Sequence, residues 1–437
     1  MRIRVFQADK GDCLLLTSSD NRHILVDGGL VNSFGDDAYS SNVAPTLGRM
    51  QRNGGRLDLV CVSHIDQDHI GGVLRLLDDH FDWRVFDFQT SQGLDVEEPR
   101  NPRPPEVAEL WHNAFHEQVS KNRRAIGSAI AAAVPESLAL RGRPRPSHGD
   151  DFMEGLATSM KEAAQLSRRI GAEQLGIPLN RRFGGRLAMK RRNSQRLALG
   201  NFRVSVIGPT GKQLIALRKK WNAWLRSQKG RRQIGAVRRE AEGDEELLGV
   251  AELDEFLALN LLGPAIGERE DVTEANVASI VMLVEDGQKN ILLTGDARDD
   301  HVLENLVDDG RTDPNGHVHL NVLKIQHHGS ENNFSIDFGK HVTADHYVFC
   351  GNGKHENPDL EVVERLIASR IGPAAHRSPN AEVGNRFKLW FSADEDSHDA
   401  DRPHMHELER LVRRRARKSR GQMRFRFNRN RSFSFSP

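Results

Sequence analysis

The chain has 437 residues, and its 62 Lys or Arg against 61 Asp or Glu leave a net charge of +1, which excludes a globally basic or acidic partner-binding protein. With 38% apolar and 28% charged residues, the chain is polar but foldable and long enough to bury a sizeable core. No stretch approaches the roughly 18 apolar residues of a membrane span, and the opening MRIRVFQADKGD meets charges too early for a signal peptide.

Three well-separated cysteines, Cys13, Cys61 and Cys350, argue against a disulfide framework and for a reducing, cytoplasmic setting with no membrane partner. In chain order, apolar alternation predicts strands over 2–6, 13–17, 23–27 and 57–63, punctuated by Gly11 and Gly28-Gly29. Ile70, Val73, Leu74, Leu76 and Leu77 then recur at helical spacing. From 91 the pattern turns to Pro102, Pro104 and Pro105 and then to helical segments rich in Ala, Glu and Arg. A strand over 202–207 interrupts it, and another polar helical stretch fills 211–270. Strands return at 279–284, 290–294, 322–325 and 346–349, followed by a helix over 360–367. Strands and helices alternate at both ends, so the reading is one α/β core and not three independent domains. Its halves are 1–90 and 275–395, with a core strand at 200–210, insertions at 91–199 and 211–274, and a basic helix and edge strand at 396–437.

Charge is segregated inside the insertions. Residues 180–239 hold 18 Lys or Arg and no acid, while 240–255 hold eight acids and no base. This is either a solvated surface whose halves neutralise each other or a polyanion-binding face, in which Arg191, Arg192, Lys219 and Lys220 are the candidates.

The chemistry concentrates at strand ends. His64, Asp66, Asp68 and His69 put four metal-ligand side chains within six residues, between a buried strand and a helix. Imidazole with carboxylate suits Zn, Mn or Fe, and Gly71 and Gly72 allow close backbone approach. Asp296 closes Thr294-Gly295-Asp296 after an apolar strand and can bridge two cations. His327 and His328 end the strand at 322–325; adjacent residues of an extended chain point opposite ways, so one of the two is expected to reach the metals. His355 follows the next strand, in Gly353-Lys354-His355-Glu356.

These motifs, in this order, resemble the metallo-β-lactamase fold hydrolases, and within them the branch typified by the soluble domain of the competence DNA-uptake protein ComEC. Gln7 to Leu14 is similar to that branch's VGQGDA element, Asp27-Gly28-Gly29 to its DGG turn, and His64 to His69 to its HxDxDH motif. Thr294-Gly295-Asp296 and His327-His328-Gly329-Ser330 are similar to its TGD and HHGS motifs. The resemblance covers roughly 1–90, 200–210 and 275–395, and implies an αββα sandwich with two mainly helical insertions and metals at one edge of its sheets. It implies that His64 and Asp66 serve one metal, Asp68 and His69 another, and that Asp296 bridges. His327 or His328, together with His355, would complete the set, and Asp27 would support the ligands from behind. The carboxylate at Asp66, where most of the superfamily has histidine, makes the site harder, so one or two ions of Zn or Mn are expected, with Mg open.

The implied activity is metal-dependent hydrolysis through a metal-bound hydroxide, with Asp68 orienting the nucleophile and His327 or His328 as acid. Lys324 is a weaker candidate for the acid. The leading substrate is nucleic acid or another phosphodiester. The competing readings are hydrolysis of a small ester, lactone or amide, and a metal-binding docking subunit of a multiprotein defence system that meets a partner protein through the insertions.

Overall fold

The computed structural model describes residues 1–31, 37–113, 166, 169–191, 196–214, 279–380, 383–384 and 386–437. Its strands form two sheets. The first contains β1 (Arg2–Phe6), β2 (Leu14–Thr17), β3 (His23–Val26), β4 (Leu59–Cys61), β5 (Leu110–Trp111) and β14 (Ser432–Phe435), in the order β14-β1-β2-β3-β4-β5. The second contains β6 (Leu197–Leu199), β7 (Phe202–Gly208), β8 (Val281–Asp286), β9 (Lys289–Leu293), β10 (Val318–Lys324), β11 (Val342–Phe349), β12 (Phe387–Phe391) and β13 (Met423–Phe427), in the order β13-β12-β11-β10-β9-β8-β7-β6. From β9 to β13 this sheet is parallel, so the loops that follow β9, β10 and β11 leave from one edge.

Side-chain alternation makes the layers. Leu14 and Leu16 of β2 face the opposite sheet and join Ile24, Met282, Ile291 and Val322 in the central core. Leu15, between them, faces outward against Ile70, Val73 and Leu77. Those residues lie on α2 (Gln67–Ser91), which covers the first sheet together with α1 (Ala44–Arg52). The outer face of the second sheet is covered by α3 (Asp299–Asp308), α4 (Ile336–His341), α5 (Leu360–Ile371) and α6 (Arg402–Lys418). The layering is αββα, as the resemblance implies.

Two features depart from the sequence reading. The segment at 91–199 is not wholly a helical insertion: β5 pairs with β4 in the first sheet, and β6 pairs with β7 in the second. Strands of two and three residues carry no periodicity to read. The described part of 211–274 is limited to one helical turn at 211–214, and the rest of both insertions lies outside the described residues. The tail after 396 supplies not only α6 and the edge strand β13 but also β14, which pairs with β1. Phe433 and Phe435 of β14 stack on Trp390 of the opposite sheet at 5.0 and 4.4 Å between ring centroids, closing that side of the sandwich. Cys13, Cys61 and Cys350 are free and buried. Among the described residues, no helix is long and apolar enough to cross a membrane.

Candidate metal centre

The first sheet presents its ligands through a backbone-on-backbone contact. A Cβ on Gly72 would lie 2.0 Å from the Gly28 carbonyl oxygen, and one on Gly28 would lie 2.2 Å from the Val73 nitrogen, so only glycine fits at either position. The Gly28 N–H donates to the His69 carbonyl at 2.8 Å and the Gly72 N–H to the Gly29 carbonyl at 3.0 Å. This stitching sets Asp27 against the start of α2. Its carboxylate accepts the Ser63 N–H at 2.7 Å and the Ser63 hydroxyl at 2.8 Å, and its Oδ2 lies 2.9 Å from His69 Nδ1. Asp66 stands at the N-cap of α2 without making a capping bond, which leaves its carboxylate facing His64 Nε2 at 3.5 Å.

The second sheet presents its ligands through two turns. After β9, Gly295 adopts φ +51° with its Cα against Ser63, where a Cβ would lie 3.0 Å from the serine Cβ. Asp296 follows, 2% exposed. After β10 the chain leaves extended geometry: His327 (φ 45°) and His328 (φ 55°) are both left-handed. Such positions cost about 1–3 kcal/mol each for non-glycine residues and persist only where surrounding structure fixes them. Here the His327 N–H donates to the Gly295 carbonyl at 3.2 Å, and the Ser330 N–H to the His327 carbonyl at 2.8 Å. The extended-chain premise therefore fails, and both rings reach Asp296, their Nε2 atoms 3.7 and 3.6 Å from its Oδ2.

Four imidazole Nε2 atoms thus surround one carboxylate, since His64 Nε2 lies 3.6 Å from Asp296 Oδ2 and His69 Nε2 3.3 Å from Oδ1. The Nδ1 atoms face away and are occupied. His69 Nδ1 meets Asp27, His327 Nδ1 meets Asn333 Oδ1 at 2.7 Å, and His328 Nδ1 meets the Cys350 carbonyl at 3.0 Å and Asp12 Oδ1 at 3.1 Å. The Asn333 amide donates its Nδ2 to the Asp296 carbonyl at 3.0 Å, so its oxygen faces His327 and Nδ1 is the donor. Each of these three rings is therefore held with Nδ1–H outward and Nε2 toward Asp296.

This donor set fits a divalent cation. Among the described residues, His64 Nε2 and Asp296 Oδ1 are buried without a hydrogen-bond partner, which is costly unless an ion engages them. Asp12, His69, Asp296 and His328 offer ligand atoms that all lie within 4.8 Å of one another. All donors are nitrogen or oxygen, the chemistry of Zn, Mn or harder ions. Without a metal, burial opposes charge on His69 and His328, but Asp296 and the carboxylate behind each ring outweigh it. His69 is held well above the ordinary imidazole range and His328 is pushed up to about 9. Burial opposes the Asp296 charge too, and the four imidazoles overcome it, holding its carboxyl well below the usual range. Protons take the place of the cation.

Asp68, 16% exposed at the mouth, has its Oδ2 3.4 Å from His328 Nε2 and 4.0 Å from Lys10 Nζ. His355 is not brought to Asp296. It lies in an exposed turn with φ 56°, next to Gly353, and feels the charges of Lys10, Asp68, Lys354 and His328. Arg191 turns back onto the chain, donating to the Phe183 carbonyl at 3.1 Å. Arg192, Lys219 and Lys220 lie outside the described residues. Lys324 is 1% exposed, forms an ion pair with Asp12 and has its Nζ 3.9 Å from Asp296 Oδ1, so burial keeps it from acting as an acid toward substrate. Asp12 and Asn333 had no role in the sequence reading. One signal for Asp12 was present: Lys324 is the lone charge in an apolar strand, and a buried lysine requires an anionic partner.

Residues 7–83 match the sequence model of the Metallo-beta-lactamase superfamily, a stretch that contains Asp12, Asp27 and the loop from His64 to His69. No curated protein matches the chain.

Proposed function

We propose that the protein is a metal-dependent phosphodiesterase of the ComEC-like branch, acting on nucleic acid. The observation that carries the hydrolase reading is the convergence of four Nε2 atoms on the buried Asp296 carboxylate. His64, Asp66, Asp68, His69, Asp296 and His328 would hold one or two divalent ions, with His355 approaching from the rim. A bound Zn or Mn ion supplies Lewis acidity, making water nucleophilic near neutral pH and screening charge on phosphate oxygens.

The chain's own groups divide the remaining work. Asp68, at the mouth, orients the attacking water and takes its proton. His327, with its side chain 25% exposed against 6% for His328, faces the substrate side and donates a proton to the leaving oxygen. Lys10 and Lys354 both act on His355; Lys354 is paired with Asp399, and Lys10, 4.0 Å from Asp68, is the cation that favours an anionic substrate over a neutral one.

Turnover of bis(p-nitrophenyl) phosphate and of single-stranded and duplex DNA and RNA, each with Mn, Zn or Mg, tests the reading against p-nitrophenyl acetate and a lactone. The expected result is metal-dependent phosphodiester cleavage that Asp68→Ala abolishes. Turnover of the neutral esters alone, or of none of these substrates, would overturn it.

A further inference from the structure

We propose that Asp12 is a positioning residue for His328, with Lys324 as its fixed counter-ion, and that it does not itself ligate the metal. The inference rests on the metal-centre reading above and adds a function to two residues that reading leaves unused. Asp12 lies close enough to His69, Asp296 and His328 to be counted among potential ligands. The side of the rings that it meets decides otherwise.

His328 Nδ1 lies between two acceptors, Asp12 Oδ1 at 3.1 Å and the Cys350 carbonyl at 3.0 Å. Neither can donate to it, so the proton resides on Nδ1 and Nε2 is left for the centre. Asp68 and Asp296 stand on that Nε2 side, at 3.4 and 3.6 Å. Asp12 also approaches His69 from its Nδ1 side, at 4.0 Å. It therefore lies behind both rings, where Asp27 lies behind His69 alone.

The other oxygen of Asp12 is engaged by Lys324, whose ammonium also donates to the Gly295 carbonyl at 3.2 Å. Both side chains are 1–2% exposed, so the pair has no competing water. The Asp12 N–H donates to the Asp68 carbonyl at 3.2 Å, which fixes the carboxylate from the first sheet while it holds an imidazole of the second. A carboxylate behind a ligating imidazole fixes the ring's tautomer and orientation, and its loss costs about 10–100-fold in metal affinity.

The test is titration calorimetry with Mn and with Zn, and visible absorption of the Co-loaded protein, on wild type, Asp12→Asn and Asp12→Ala, with circular dichroism to confirm folding. The expected result for Asp12→Asn is the wild-type number of ions and the wild-type Co bands, with affinity weakened about 10–100-fold. Asp12→Ala, which leaves the ring unsupported, should weaken it at least as much. A lost ion or shifted Co bands in Asp12→Asn would make Asp12 a ligand and overturn the inference alone. Unchanged affinity in both folded variants would overturn it as well. A wild type that takes up no divalent ion would overturn the metal-centre reading and the inference with it.

Discussion

The two sheets each deliver a carboxylate-backed histidine to the centre, and they do so by different means. His69 is supported locally: Asp27, Ser63 and the Gly28–Gly72 contact all belong to the first sheet and the helix that follows it. His328 is supported across the sandwich, by Asp12 from the other end of the sequence, and that carboxylate is neutralised by Lys324 of the second sheet. The first arrangement needs one sheet to fold. The second exists only when both sheets have met, so it couples assembly of the centre to closure of the sandwich.

The largest expected effect is on what the two halves share. Asp296→Ala removes the carboxylate faced by all four Nε2 atoms and should abolish Mn and Zn uptake in titration calorimetry while the fold survives. Retained uptake would place the centre elsewhere. Next is Lys324→Met, which strips the buried Asp12 carboxylate of its lysine counter-ion and leaves, among the described residues, only the His328 ring as its close side-chain partner. Removing one partner of a buried pair costs about 3–5 kcal/mol, measurable by denaturant unfolding, and pairing it with Asp12→Asn should recover part of the loss. The local support should give a smaller change: Asp27→Asn is expected to weaken metal binding about 10–100-fold. Gly72→Ala should cost about 1–3 kcal/mol of stability through overpacking against the Gly28 carbonyl. If Asp27→Asn destabilises the protein more than Lys324→Met does, the contrast between local and cross-sheet support is wrong.

The contrast also governs what the sequence disclosed. The His64–His69 loop was legible because its ligands fall within one turn between an apolar strand and an apolar helix face. Asp296 was legible from its place at a strand end. Asp12 was not, because a carboxylate beside a glycine in a turn is common and its partners are supplied by distant chain. The paired approach of His327 and His328 was hidden for the same reason: two consecutive left-handed residues are held by the Gly295 carbonyl, a tertiary contact. Most core strands were read from alternation; β12 was not, and β5, β6 and β14 are too short or too late in the chain to stand out. The helices α1, α3 and α4 were not read; in α1, Pro45 in the first turn masks an otherwise buried apolar face.

The smallest expected effect is the dependence on pH. The folded, metal-free protein holds His328 at about 9, whereas an unfolded imidazole titrates near about 6.5. Its proton therefore stabilises the metal-free fold fully below about 6.5, and that contribution is lost as pH rises through about 9. Ligation requires the deprotonated ring. The gain in melting temperature from saturating Mn or Zn should consequently grow between about pH 6 and pH 9. A gain that shrinks over that range would mean that no imidazole proton is displaced.

The central claim, that the Nε2 atoms of His64, His69, His327 and His328 and the carboxylate of Asp296 enclose a metal centre, is tested most directly by anomalous diffraction from crystals grown with Zn or Mn. The account predicts an anomalous peak bonded to Asp296 and to Nε2 of at least His69 and His328, at about 2.0–2.2 Å if the ion is Zn. Ordered density for these side chains with no anomalous peak among them, at ion concentrations that support activity, would contradict it.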